Sequence, residues 1–339
     1  MHSGLLSAAT PGVRKIRVIA PAAFLNSLSV GYVNLGMIFA VKEVFSASPS
    51  MVGWFGALWS VAYFCGCVFF RGITSRLVPR VSMLLALFVS FLSLAIFSFF
   101  PSLPAAFVVY GILGAATALY WPPLMGWLSR GLEGTDLSKA GGVYNFSWSL
   151  AGIVSPYLAG AMSQANKFLP VYAAMGTYFL TGVFLLVSRR FLRDPEERPA
   201  PIGDRPRESD FSTPLRFPAW AGVFVLYAAI GILANIFPLF ARDEIGMSES
   251  DTGFMMTIRA AASMAGFAFF GKTAFWRFRK KLLVLPLILG CAFSVLLALS
   301  GTSVLFLGIG LVGIGVSSAW AYNNSMFYGA SGDPDATAG

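Results

Sequence analysis

The sequence predicts an all-α, polytopic membrane protein, and three observations carry that expectation. Of 339 residues, 57% are hydrophobic and only 12% charged, with a mean hydropathy of +0.73. A soluble domain carries roughly a quarter charged residues, and a water-facing surface cannot be assembled from so few. Apolar runs of about 20 residues recur along the chain, the length a helix needs to cross a bilayer core of ~30 Å. Lysine and arginine gather in alternate loops, the asymmetry that orients membrane helices.

Ten runs fit the pattern: 18–41, 51–70, 81–100, 104–129, 140–163, 168–188, 217–241, 252–271, 282–300 and 303–328. Each is expected to be a helix, because an open strand would leave backbone amides unpaired in hydrocarbon. The first follows Arg14, Lys15 and Arg17 and exceeds a usual signal-peptide core, so it reads as an uncleaved first span. The fourth contains "YWPPLMGW" (120–127), where Pro122–Pro123 should interrupt the helix. After the sixth comes "SRRFLRDPEERPAPIGDRPRESDFSTPL" (188–215), whose proline and charge predict an exposed linker. The expected organisation is an N-terminal half of six helices (1–188), a cytoplasmic linker (189–216) and a C-terminal half with four helices (217–339).

With the N-terminus inside, 20 of the 24 Lys and Arg residues fall on the cytoplasmic side. Lys42, Lys167 and Arg242 fall outside, and only Arg259 remains, within an apolar run. The basic loops lie against an anionic leaflet, which accounts for the net charge of +9 without nucleic acid as a partner. This places the N-terminus in the cytoplasm of a bacterial-type cytoplasmic membrane, with the lipid bilayer as the obligatory partner.

The two halves repeat. "GWFGALWSVAYFCGCVFF" (53–70) and "GFMMTIRAAASMAGFAFF" (253–270) align without gaps at an offset of 200, matching Gly53/Gly253, Ala62/Ala262, Gly66/Gly266, Phe69/Phe269 and Phe70/Phe270. Upstream, at 201, Asn34/Asn235, Phe39/Phe240, Ala40/Ala241 and Glu43/Glu244 coincide; downstream, at 199, Gly111/Gly310, Gly114/Gly313 and Trp121/Trp320 do. Six helices separate the copies, an even number, so both halves insert in the same direction.

Two parallel halves joined by a long cytoplasmic loop resemble the major facilitator superfamily. "GITSRLVPR" (72–80) is similar to that family's loop G-x-L-A-D-R-x-G-R-R between helices 2 and 3, keeping Gly72, Arg76 and Arg80 but placing Ser75 at the acid and Val78 at the second glycine. The resemblance implies a gating role for Gly72, Arg76 and Arg80, without the family's acidic lock. "AGIVSPYLAG" (151–160) is similar to the small-residue motif of the family's antiporters, with Pro156 and Gly160 matching; close helix packing explains the same pattern. The resemblance also implies twelve spans, whereas ten are visible. Because "YGASGDPDATAG" (328–339) parallels "SRGLEGTDLSKAGG" (129–142), Gly339 falls where an eleventh helix is expected to begin, and the chain reads as a fragment or truncated product.

All fifteen acidic residues lie in loops or at helix ends, and the one histidine is His2. No His–Asp pair accompanies a serine and no ligand set for a metal appears, so neither enzyme nor cofactor is expected. Cys65 and Cys67 diverge by about 200° around a helix, and Cys291 stands alone, so no disulfide framework is implied. Coupling would reside in helices beyond these ten, or in a rim acid such as Glu43, or the protein would be a facilitator or exchanger.

Arg259 lies eight residues into its run from Asp251, ~12 Å below the outer surface. A cation there costs at least ~2.5 kcal/mol unless it meets water or a partner. It either binds an anionic solute bidentately or is a structural cation paired within the fold. Asn34, Asn235, Trp121, Tyr144, Asn145, Trp148, Tyr322 and Asn323 lie on helices that, by the resemblance, border a central cavity. Interhelical hydrogen bonding is the other reading of each asparagine. The expectation is a monomer carrying a small organic solute, an organic anion among the candidates, by alternating access. A multidrug or sugar-type exporter with a structural Arg259, or a non-transporting truncated membrane protein, are the alternatives.

Overall fold

The computed structural model describes residues 11–130, 134–190, 192 and 213–330. Most of the expected linker (189–216) and the segment 331–339, including the expected start of an eleventh helix, lie outside the described residues. By chain contacts the protein divides into two compact units, Met1–Pro199 and Ala200–Gly339.

Among the described residues the first unit contains α1 (Pro11–Phe39, continued by a π-helical turn Ala40–Val44), α2 (Pro49–Phe69), a short α3 (Arg71–Thr74) and α4 (Pro79–Phe99). It goes on through α5 (Leu103–Ala118), α6 (Trp121–Ser129), α7 (Gly134–Ala165) and α8 (Leu169–Val187). The second contains α9 (Arg216–Asp243), α10 (Glu249–Lys272), α11 (Lys280–Leu299) and α12 (Val304–Ala330). No described residue is in a strand. Every expected run falls on a helix, and nine of the resulting spans among the described residues are long and apolar enough to cross a membrane. The remaining one, α7, is long but carries "YNFSWS" and Ser155–Pro156, and it packs along α1. The outward faces are oily: Phe224 is 75% exposed and Leu299 79%, which water would not tolerate but acyl chains solvate.

The fourth span breaks where two prolines remove backbone donors. Pro123 cannot donate to the Leu119 carbonyl four residues back. That carbonyl instead accepts from Ser82 Oγ of α4 at 2.7 Å, and the Tyr120 hydroxyl donates to the Ala22 carbonyl at 2.8 Å. The Ser82 hydroxyl thereby satisfies a carbonyl that the break frees, as the bilayer demands.

The sequence repeat has a physical counterpart in each unit. Ser48 caps α2 by accepting from Met51 N–H, and Ser248 caps α10 by accepting from Asp251 N–H. The preceding helices end alike: Phe45 N–H donates to the Ala40 carbonyl and Ala47 to Val41, as Ile245 does to Phe240 and Met247 to Ala241. A π-helical turn holds one residue more than an α-helical path. The turn Ala40–Val44 in α1 lies where the sequence register slips from 201 to 200, whereas α9 is α-helical through Asp243.

Downstream, the structure corrects the sequence. A Cβ on Gly66 would meet Ala118 Cβ at 2.8 Å, and one on Gly266 would meet Ala319 Cβ at 2.8 Å. Likewise a Cβ on Gly114 would lie 2.5 Å from the Trp59 carbonyl oxygen, and one on Gly315 would lie 2.5 Å from that of Arg259. The packing register between α5 and α12 is thus 201, pairing Gly114 with Gly315 and Trp121 with Tyr322, not 199 as the glycine matches suggest. Gly308, Gly310, Gly313 and Gly315 let the sequence align in several ways, and only the helix crossing selects one.

Candidate functional site

In the second unit, Arg259 sits near the middle of α10, whose start is fixed by the Ser248 cap. Its backbone is held tightly: Ser263 Oγ donates to its carbonyl at 3.2 Å, and Gly315 of α12 crosses against the same oxygen. Its side chain is not. Arg259 Nε is buried without an acceptor, and among the described residues no hydrogen bond or ion pair engages the guanidinium. Tyr227 of α9 lies within electrostatic range of it. The Tyr227 and Tyr322 rings are 6.0 Å apart, and Phe267 meets Tyr322 edge-on at 5.2 Å. Three helices of one unit thus contribute a row of aromatic rings, with Tyr227 the member in electrostatic range of Arg259. Asn323, beside Tyr322, donates to the Ala319 carbonyl at 2.9 Å on its own helix, and Asn235 donates to Gly231 at 2.7 Å.

In the first unit, Trp121 packs edge-on against Tyr144 of α7 at 6.1 Å and against Tyr120 at 5.4 Å. One turn further along α7, Trp148 Nε1 donates to Asn145 Oδ1 at 3.1 Å. Asn34 Oδ1 accepts from the Tyr110 hydroxyl at 3.0 Å, and Tyr110 stacks on Phe55 at 4.0 Å and lies 4.9 Å from Trp59. Of the residues singled out from sequence, the first unit thus brings Trp121 to Tyr144 and Asn145 to Trp148, while Asn34 is engaged elsewhere.

The sequence profile of the Major Facilitator Superfamily matches residues 19–338, nearly the whole chain. The chain belongs to the Major Facilitator Superfamily. A solved bacterial homologue of the human lysosomal transporter Spinster, inward-facing and unoccupied, superposes with a TM-score of 0.68 at 15% identity, covering 94% of this chain and 75% of that one. The same description in the occupied state gives 0.66 at 13% identity, covering 95% and 75%. At such identity the likeness is one of fold. Among curated proteins no relative matches.

As a member of this superfamily the chain is a multi-pass membrane transport protein. The loop residues matched to the family's motif occupy different settings. Gly72 lies in the short α3 with open space beside it, and Arg76 is exposed in the following turn. Arg80, at the start of α4, is fully buried: its guanidinium lies 5.0 Å from the Trp127 ring of α6 and donates to the Leu192 carbonyl at 2.8 Å. In the antiporter-like motif, Ser155 is buried against Gly31 of α1, so that its small side chain serves the α1–α7 crossing.

Sequence reasoning missed Tyr227, Phe267 and Trp59. Tyr227 interrupts an otherwise apolar stretch, "VFVLYAAIGIL" (223–233), and that lone hydroxyl was the available signal. It also passed over Asn324, which is buried with both carboxamide atoms unpartnered. In the packing register Asn323–Asn324 stand where the first unit has Pro122–Pro123, and α12 runs through unbroken.

Proposed function

We propose that this chain carries a small organic anion across the cytoplasmic membrane, by secondary active or facilitated transport with alternating access, and that Arg259 recognises the negative charge. In this reading residues 1–188 and 217–339 form parallel halves joined by a cytoplasmic linker, the N-terminus is cytoplasmic, and the working unit is a monomeric transporter without cofactor or catalysis. The observation that carries the proposal is a mid-helix arginine, partly exposed, whose buried Nε has no acceptor among the described residues. A cation in that position costs at least ~2.5 kcal/mol. A carboxylate or phosphonate arriving there recovers this cost through charge-assisted, bidentate hydrogen bonds.

Trp121, Tyr144, Asn145, Trp148, Asn34, Asn235, Tyr322 and Asn323 are proposed to contribute further binding contacts, and Gly72, Arg76 and Arg80 to gate the cytoplasmic side. The test compares binding of anionic and neutral solutes to the wild type and Arg259→Gln. Affinity for anions should fall by an order of magnitude or more, as expected for a charged hydrogen bond of ~1.5–3 kcal/mol, with neutral solutes little changed. Equal losses for both refute a role in charge recognition.

The aromatic group Tyr120–Trp121–Tyr144 supports a second reading, a multidrug or sugar-type exporter in which rings hold the solute. Stabilisation by cationic or neutral aromatics, unchanged in Arg259→Gln, favours that reading.

A further inference from the structure

The second unit departs from the first at one telling place. In the packing register Arg259 occupies the position of Trp59, and each has its carbonyl pressed by a glycine of the crossing helix. Trp59 lies 4.9 Å from Tyr110, filling its surroundings with an aromatic ring. The equivalent ring is missing at Arg259, and Tyr227 of α9, in electrostatic range of the arginine, leads through Tyr322 of α12 to Phe267 of α10. Phe267 braces Tyr322 edge-on, and Tyr227 and Tyr322 face each other at 6.0 Å with planes 35° apart. That separation lies within the about 4.5 to 7 Å of ordinary aromatic pairs, and the tilted rings form one π-rich surface.

Along α10, Phe267 is eight residues from Arg259, or ~12 Å at 1.5 Å per residue. The guanidinium therefore marks one end of the group and the rings extend from it toward the Lys272 end of the helix. A ligand that uses both needs its charge at one end and a flat π-face at the other.

We propose that the ligand of the Arg259 site is an organic anion bearing an aromatic ring, and that Tyr227 and Tyr322 select the ring. This rests on the reading of Arg259 as the anion-recognising residue. The preference arises because a phenyl group interacts with the tyrosine faces through its quadrupole, whereas a saturated ring of the same size offers only dispersion. Aromatic pairing of this kind corresponds to roughly two- to tenfold in affinity.

The probes are 3-phenylpropionate and 3-cyclohexylpropionate, equal in charge and nearly equal in size, titrated into the purified full chain by calorimetry. The wild type should bind the phenyl acid two- to tenfold more tightly. Tyr227→Leu and Tyr322→Leu should bring the ratio close to one, Tyr227→Phe should preserve it, and Arg259→Gln should lose both acids. Equal wild-type affinities overturn the proposal without needing any variant. So does a ratio that persists in both leucine variants while Arg259→Gln still abolishes binding, and the anion reading then stands alone. If Arg259→Gln binds both acids as the wild type does, the anion reading falls and this inference with it.

Discussion

Gly315 is the position at which packing most directly controls Arg259. A Cβ placed there would lie 2.5 Å from the Arg259 carbonyl oxygen, 3.1 Å from Ala262 Cβ and 3.2 Å from Ser263 N. All three are backbone or Cβ atoms, so no flexible side chain can yield, and α10 and α12 must part. Overpacking of this kind costs about 1–3 kcal/mol. Gly308, on the same helix, has nothing within 4 Å, and its replacement by alanine should stabilise by up to ~1 kcal/mol through helix propensity alone. The two substitutions add the same methyl to the same helix and should therefore move stability in opposite directions. Thermal unfolding of Gly315→Ala and Gly308→Ala in detergent, with 3-phenylpropionate titrated into each, separates the effects. Gly315→Ala should melt lower and bind the anion more weakly, because the arginine backbone is displaced, while Gly308→Ala should do neither. If Gly315→Ala matches Gly308→Ala in both measurements, the α10–α12 crossing does not hold Arg259 as described.

Arg80→Leu should lower the melting temperature strongly, since it removes a charged hydrogen bond of ~1.5–3 kcal/mol and a cation–π contact of up to ~2 kcal/mol; a melting point equal to the wild type refutes an anchoring role for its contacts with Trp127 and Leu192. Asn324→Leu should raise thermal stability, because its carboxamide is buried with both polar atoms unpartnered and an apolar residue of similar size removes that cost of about 1–3 kcal/mol. A sharp loss of stability would show instead that Asn324 finds partners the described contacts lack. For orientation, a cysteine at Asn166 should react with a membrane-impermeant maleimide on intact cells, and one at Ser75 only after permeabilisation; the reverse pattern inverts the proposed topology. Glu43→Gln should cost no more than about 1 kcal/mol, although its carboxylate lies 2.6 Å from Lys167 Nζ, because both side chains remain partly solvated.

The spans themselves were legible in the residues. A chain this apolar has few ways to satisfy its backbone, so helix positions followed from run length, and the break in the fourth span followed from Pro122–Pro123. Those are local properties, set by covalent geometry and by the solvent each segment demands. The repeat was legible only in part. Its slip from 201 to 200 shows in the letters, but that a π-helical turn at Ala40–Val44 absorbs it is a matter of hydrogen-bond geometry. Glycine-rich letters alone gave 199 for the last helix pair, where the crossings of Gly114 and Gly315 fix 201.

Arg259 stood out in sequence because a lone charge in an apolar run is conspicuous whatever surrounds it. Which rings gather on its helix bundle was not legible. Tyr227, Tyr322 and Phe267 are scattered over α9, α12 and α10, and only helix packing brings their rings together. Asn34 shows the converse: its polarity within a span was visible, but its engagement by Tyr110, 76 residues away, was not. Composition and periodicity decide which segments leave water, because that choice depends on each segment's own free energy of transfer. Which side chains meet inside depends on how neighbouring helices cross, and that is settled by small residues such as Gly66, Gly114, Gly266 and Gly315 acting together across the fold.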